Sequence, residues 1–227
     1  MAGGSGDLEL LTHTHDLFAD APQGSAYERL APGACVLRGF ALGRMELLAE
    51  IERVETAAPF RHWATPGGFR MSVAMTNCGA LGWVSDRAGY RYTACDPLSG
   101  RSWPPMPQAF LELARTAASA AGFSGFEPDA CLINRYVPGT RLTLHRDKDE
   151  RDLNAPIVSV SLGLPATFLF GGAARTDRRC RVALRHGDVV VWGGPARLHH
   201  HGVLALKDGT HDILGAQRLN LTFRHAG

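Results

Sequence analysis

The chain is short of cysteine pairs. Its five cysteines, at 35, 78, 95, 131 and 180, form no Cys-x-x-Cys motif, and their number is odd. That speaks against a disulfide framework and a cysteine zinc site, and it suits a reducing cytosol. Charge of one sign is lacking as well. The formal net charge is only +2, so no bulk field marks a nucleic-acid binder, and any phosphate contact must come from local patches. The first seven residues have neither a basic start nor an apolar core, so no signal peptide is expected there. Residues 155–174 carry no charge, but they contain Pro156, Pro165, two serines and paired glycines. They read as strands and a turn, not as a membrane helix. There is no internal repeat and no low-complexity block. What is present is ordinary for a globular protein, 45% hydrophobic and 20% charged residues in 227, enough for a substantial core.

Residues 1–15 read as a flexible, Gly-rich tail. Helical spacing appears twice. Leu47, Leu48, Ile51 and Val54 share a face within residues 42–56, and Phe110, Leu111 and Leu113 do so within 107–121. From residue 130 onward the chain breaks into short β-like runs separated by Gly, Pro or Asp, at 157–162, 167–170, 181–184 and 188–192. Many short strands with few helices indicate a mainly β fold with flanking helices, a sandwich or jelly roll. Between the helical segments, residues 60–104 are loop-rich and aromatic, with Phe60, Trp63, Phe69, Trp83, Tyr90, Tyr92 and Trp103. They read either as a lid over a pocket or as a satellite hydrophobic cluster beneath long loops.

Residues 142–147 read as a strand entering a turn. Positions i and i+2 of a strand face one side, so His145 and Asp147 can grip one ion together. The run His199-His200-His201-Gly202 offers a third ligand, and alternation alone leaves His199 and His201 tied. Two imidazoles and one carboxylate leave part of a metal's coordination open, a set suited to non-haem Fe(II) oxygen chemistry. Residues 217–224 alternate polar and apolar without a break. Arg218, Asn220, Thr222 and Arg224 share one face, and Leu219, Leu221 and Phe223 the other. The segment is either an edge strand with solvated arginines or a strand that turns two guanidinium groups into a pocket. Arginine is suited to bidentate carboxylate recognition, so the second reading points to a small dicarboxylate co-substrate.

Asn134-Arg135-Tyr136, His145-x-Asp147-x-Asp149, His201 and Arg218-x-Asn220-x-x-x-Arg224 together resemble the AlkB family of Fe(II)/2-oxoglutarate dioxygenases. The likeness runs from about residue 16 to the C-terminus. It includes the long runs 65–68, 71–78, 128–136 and 187–194. It implies a single domain over 16–227: a double-stranded β-helix, or jelly roll, over about 128–227 with an N-terminal nucleotide-recognition lid over about 60–104. It implies Fe(2+), 2-oxoglutarate and O2, and oxidative demethylation of N-alkylated bases such as 1-methyladenine and 3-methylcytosine. The expected substrate is alkylated DNA, single-stranded by preference, or RNA. The expected setting is a monomer in a bacterial cytoplasm with no membrane association. A hydroxylase acting on a protein side chain or a small molecule would keep the same iron and 2-oxoglutarate residues and differ only at the lid and Asp149.

The resemblance selects His201, just before Gly202, as the ligand beside His145 and Asp147. It assigns Asn134, Tyr136, Arg218, Asn220 and Arg224 to 2-oxoglutarate. Around the substrate it places Thr65, Phe69, Met75 and Trp83 together with Tyr90, Arg91 and Tyr92. Asp149 falls where the family holds a carboxylate near the base. There it would favour a cationic methylated ring, organise the metal loop, or simply pair with Lys148 or Arg151 at the surface. Arg175 aligns with a family residue at the pocket, at the head of a basic cluster that includes Arg178, Arg179, Arg181 and Arg185. Departures from the family pattern are His199 and His200, where aromatic residues are expected, Phe69 in place of tyrosine, and Leu219 in place of an aromatic residue.

Overall fold

The computed structural model describes Met1 and residues 27–227. The expected tail over 1–15 and the start of the domain at residue 16 lie outside the described residues. The elements in chain order are β1 (Tyr27–Ala31), β2 (Ala34–Leu37), α1 (Glu46–Ala57), β3 (Ala74–Gly79), β4 (Gly82–Asp86), β5 (Gly89–Thr93) and α2 (Gln108–Ala120). There follow β6 (Ala130–Tyr136), β7 (Leu142–His145), β8 (Ile157–Gly163), β9 (Ala166–Phe170), β10 (Cys180–Leu184), β11 (Val189–Trp192), β12 (His201–Val203) and β13 (Arg218–Arg224). Both helices and the four β runs fall where their periodicity predicts.

Two sheets face each other. The larger has seven strands in the order β1-β2-β11-β8-β13-β6-β3, and the smaller has four, β10-β9-β12-β7. This is a jelly roll with helices on one side. Alternation along the strands of the large sheet sorts the core into two layers. Cys35, Leu37, Val189, Val191, Leu219, Leu221 and Phe223 point outward to Leu47, Ile51, Phe110 and Leu113 on the helices. Phe110 and Phe223 meet edge to face at 6.0 Å. Val36, Val190 and Trp192 point inward and meet Phe168, Phe170, Val182 and Leu184 of the small sheet.

This layering decides the reading of β13. It is not an edge strand: it lies between β8 and β6, and all seven of its residues are buried. Its apolar face supports the helices, and its polar face lies in the space between the sheets.

Residues 60–104 do not all stand apart from the main sheets. β3 pairs with β6 as the outermost strand of the large sheet, because the run from Ala74 to Cys78 is buried. What stands apart is the hairpin β4–β5 with its flanking loops, a separate two-stranded sheet. The hairpin is seated through Gly82, where an added Cβ would lie 2.4 Å from the Trp103 ring.

A second close approach lies where β7 meets β12. At Gly202 a Cβ would sit 2.9 Å from the Leu142 carbonyl and 3.2 Å from the Leu144 amide. Both are backbone atoms of β7, the strand that pairs with β12, and cannot swing aside. Gly202→Ala is therefore expected to destabilise the protein by about 1–3 kcal/mol, as overpacking does. Urea unfolding checks this, and an unchanged midpoint would show that β7 and β12 can spread freely.

Candidate metal centre

The three expected ligands converge. His145 ends β7, His201 opens β12, and the two are opposite each other in the ladder between those strands. Asp147 lies just past the end of β7. Strand parity therefore does not extend to it, and its position has another cause. Arg224, on the polar face of β13, holds Asp147 Oδ2 through NH2 at 2.6 Å and Nε at 3.0 Å. The small sheet supplies the imidazoles, and the large sheet anchors the carboxylate. His145 Nε2 stands 3.5 Å from Asp147 Oδ1 and His201 Nε2 3.8 Å from Oδ2. One ligand atom from each of these residues lies within 4.8 Å of the others, so the group could hold a metal ion.

Both rings are oriented for that task. His145 Nδ1 is 2.8 Å from the Thr143 carbonyl, and His201 Nδ1 is 3.1 Å from the His199 carbonyl. A carbonyl can only accept, so each Nδ1 carries the proton and each Nε2 keeps its lone pair for a metal. Burial and the neighbouring His145 lower the His201 pKa to about 3, so the imidazole is neutral at working pH. Burial would raise the Asp147 pKa. The Arg224 guanidinium outweighs that, helped by His201 and His145, and holds the carboxyl well below the usual range.

The fold sets His199 apart from His201. Residues 199 and 200 precede β12, so strand alternation does not govern them. The His199 ring lies on Phe170 at 5.5 Å, whereas the His201 ring meets His145 at 4.4 Å and Trp192 at 4.8 Å. His200 Nδ1 faces the Gly172 carbonyl at 3.4 Å.

The residues expected to meet 2-oxoglutarate share one buried face. Arg218 is 1% exposed. Its NH2 donates to Ser161 Oγ at 3.0 Å, and its guanidinium lies 4.9 Å from the centre of the Tyr136 ring. Its Nε and NH1 are buried without a hydrogen-bond partner, and so is Asn134 Oδ1. Burial depresses the Arg218 pKa. A buried guanidinium with two empty donor positions fits a carboxylate ligand, because leaving it unpaired is costly. Asn134 Nδ2 reaches Asn220 Oδ1 at 3.3 Å, and Asn220 Nδ2 donates to Ser159 Oγ at 2.8 Å. Arg224 is differently placed. It is committed to Asp147, and it lies at the metal side of the face, away from the empty donors of Arg218.

The substrate-side residues separate into groups. Trp83 Nε1 donates to Asp149 Oδ2 at 3.3 Å, so Asp149 meets the β4–β5 hairpin and is not simply a surface partner of Lys148 or Arg151. The Trp83 ring stacks with Tyr90 at 5.6 Å and 15°. Tyr92 turns its hydroxyl to Glu150 at 2.7 Å, and Arg91 is paired with Asp86 within its own hairpin at 2.8 Å. Thr65 Oγ1 accepts from the Phe69 amide at 3.1 Å, closing a turn that leaves Phe69 78% exposed. Met75 is buried in the inner layer. Arg175 reaches back from the β9–β10 hairpin to the Leu144 carbonyl at 2.7 Å, next to His145.

Four contributors were not foreseen. Asn77 clamps both the amide and the carbonyl of Trp83, at 3.0 and 2.9 Å. Ser161 meets Arg218. Glu150 and Arg197 form a buried pair at 3.0 Å under the metal loop. Asn77 lies within a run that the resemblance covers, which was a usable signal. Glu150 sits in a charge-dense run, and Arg197 is 47 residues away, so nothing local joins them.

The family model described as the 2OG-Fe(II) oxygenase superfamily matches residues 33–224. The chain is 58% identical over 212 residues to the alpha-ketoglutarate-dependent dioxygenase AlkB of Salmonella typhimurium, covering 93% of this chain and 97% of that one. It is 57% identical over 213 residues to the protein of the same name from Escherichia coli, covering 93% and 98%. Among solved structures it is similar to OsALKBH1, with a TM-score of 0.77 and 29% identity, covering 87% of this chain and 99% of that one. The family model spans the metal cluster and the β4–β5 hairpin, and the chain belongs to the AlkB family of Fe(II)/2-oxoglutarate-dependent dioxygenases.

Proposed function

We propose that this dioxygenase repairs alkylated DNA by oxidative demethylation of N-alkylated bases such as 1-methyladenine and 3-methylcytosine. The reading rests on one observation above others. A tryptophan able to stack on a base is hydrogen-bonded to a carboxylate in the loop that carries the metal ligand Asp147. Two Arabidopsis thaliana relatives named DNA N(6)-methyladenine demethylases, 34% and 38% identical over 59% and 43% of this chain, support the substrate class.

In this proposal His145, Asp147 and His201 hold Fe(II). Arg218 binds the far carboxylate of 2-oxoglutarate, Asn134, Tyr136 and Asn220 complete that site, and Arg224 flanks its metal end. When bound, Fe(II) with 2-oxoglutarate and O2 supplies the oxidising power that hydroxylates the N-methyl carbon, yielding succinate and carbon dioxide, after which the unstable hydroxymethyl group leaves as formaldehyde. The chain's own part is positioning. Trp83 stacks on the extruded base, opposite His145, with Tyr90 beside it. Asp149 favours a ring that carries positive charge, since a carboxylate acts strongly where water is excluded. Thr65, Phe69, Arg91 and Arg175 line the path of the strand, with Met75 and Tyr92 behind them.

The methyl groups concerned sit on the pairing edge, so the base must leave the stack. Flipping costs a few kcal/mol in a duplex and less where the base is unpaired. Single-stranded DNA is therefore the preferred form, with RNA as an alternative. All five cysteines are free, in keeping with a bacterial cytoplasmic setting, and we take the protein to act as a monomer. No helix among the described residues is long and apolar enough to cross a membrane.

Succinate release that depends on a methylated oligonucleotide tests the assignment. Equal release with an unmethylated strand, or with a peptide alone, would favour a hydroxylase of other substrates.

The role of Asp149 has its own test. An Asn at 149 still accepts from Trp83 Nε1, so Asp149→Asn removes charge and keeps the bond. It is expected to slow formaldehyde release from cationic lesions more than from neutral ones such as ethenoadenine or N1-methylguanine. Trp83→Ala should weaken both classes alike, by roughly 1–3 kcal/mol for the lost stacking. Equal slowing of both classes by Asp149→Asn would mean that the carboxylate organises the metal loop and does not read base charge.

A further inference from the structure

We infer that Glu150 is a positioning residue that couples the lid hairpin to the metal carboxylate, so that metal binding and docking of β4–β5 reinforce each other. The inference rests on the metal assignment above and extends it to residues outside the ligand set.

Glu150 is 7% exposed, accepts two hydrogen bonds and has a second guanidinium beside it. Tyr92 Oη approaches Oε1 at 2.7 Å, Arg224 Nε approaches Oε1 at 3.2 Å, and Arg197 NH2 approaches Oε2 at 3.0 Å. Each of these neighbours ties it to a different element. Tyr92 belongs to β5 of the lid hairpin. Arg224 belongs to β13 and also grips Asp147 Oδ2. Arg197 follows β11, and its NH1 and Nε hold the carbonyls of Asp147 and Ala155, each at 2.9 Å. Two guanidinium groups and two carboxylates are thus packed in one buried cluster, with the Asp147 backbone and side chain both held in it. The four formal charges balance, which is the condition for burying such a set.

The hairpin touches this loop at two adjacent points. Trp83 and Tyr92 are direct cross-strand partners in β4–β5. One reaches Asp149 and the other Glu150. The loop they reach, residues 146–150, has no regular secondary structure, so side-chain contacts alone hold it. A cation bound to Asp147 would fix the loop, and a fixed loop presents Glu150 as a fixed acceptor for Tyr92. Ordering the loop once lowers the entropic cost of docking the hairpin, which is positive coupling between two sites without a large structural change. Such coupling is reciprocal: what the metal does for the hairpin, the docked hairpin does for the metal.

The test uses the full chain, the redox-inert probe Mn(II), and Tyr92→Phe, which deletes one hydroxyl and keeps the ring. Hydrogen exchange of residues 82–93 is followed with and without Mn(II), and Mn(II) affinity is titrated on the same samples. In the wild type, Mn(II) is expected to slow exchange across 82–93 by about fivefold or more, the lower end of typical coupling factors. In Tyr92→Phe that gain should shrink to what the remaining Trp83–Asp149 contact carries, and the Mn(II) Kd should rise by up to the same factor. Exchange in the β1–β2 hairpin should respond in neither protein, which separates coupling from general tightening. If Mn(II) binds but leaves 82–93 unchanged in the wild type, or protects it equally in Tyr92→Phe, the coupling is refuted and the metal assignment stands. If Mn(II) does not bind, both fall.

Discussion

Replacing His145, Asp147 or His201 by alanine is expected to abolish turnover, each alone, while the protein still folds. The loss should exceed the roughly 10–100-fold that removal of a residue merely supporting a ligand costs. His199→Ala should stay close to wild type, because the His199 ring packs on Phe170 and lies outside the cluster of potential ligands. The three alanine variants should differ in stability in the metal-free state. Asp147→Ala leaves the buried Arg224 with only Glu150 as a carboxylate partner, and breaking a buried pair from one side typically costs about 3–5 kcal/mol. His145→Ala removes a ring that is partly exposed and bonded only to a carbonyl, so its metal-free stability should change little. Activity with added Fe(II), alongside urea unfolding of the metal-free proteins, separates these effects. Full iron-dependent activity in His201→Ala with loss in His199→Ala would overturn the ligand assignment.

The reach of the sequence is visible in the same residues. The unbroken alternation of residues 217–224 identified a strand with two unlike faces, but period two cannot say whether a polar face meets water. That depended on β8 and β6 closing on either side of β13, a fact of long-range pairing. Parity placed His145 and Asp147 together for an incomplete reason. The strand ends at His145, and Asp147 is held by Arg224, 77 residues away. The helices were legible because their apolar spacing is local and their partners lie on one face of the large sheet. Residues 74–79 were hidden inside a loop-rich stretch, since a short strand of mixed residues carries little pattern of its own. Glu150 and Arg197 illustrate the hardest case. A charge in a run of charges reads as solvated, and only the fold brings the two together under the metal loop.

Arg218 carries the prediction that bears most directly on the co-substrate. It is 1% exposed, its Nε and NH1 have no hydrogen-bond partner, and its polar neighbours, the Ser161 hydroxyl and Tyr136, are both neutral. Tyr136 supports the buried cation only in part, and burial outweighs it and depresses the pKa. The empty protein therefore bears a cost that a bound carboxylate would remove. Opposite signs follow for stability and for binding. Arg218→Met keeps similar bulk and deletes the unpaired donors, so the metal-free, ligand-free protein should be as stable as the wild type or more so, as when buried charges give way to apolar side chains of like volume. Binding of 2-oxoglutarate should weaken by about 2–5 kcal/mol, the range for truncating one partner of a buried charge pair, or roughly 30- to 5000-fold in half-saturation. Mn(II) should still bind with little change, since Arg218 touches none of His145, Asp147 or His201. The thermal midpoint supplies an independent check. A ligand that binds only the folded state raises it by mass action, so 2-oxoglutarate with Mn(II) should raise the wild-type midpoint and leave that of Arg218→Met nearly unmoved at the same concentration. Arg218→Ala should lose affinity to the same degree but also lose stability, because it leaves a cavity beside Tyr136. An unchanged half-saturation point in both variants would place the co-substrate carboxylate elsewhere. The buried, half-partnered guanidinium would then need another anion to account for it.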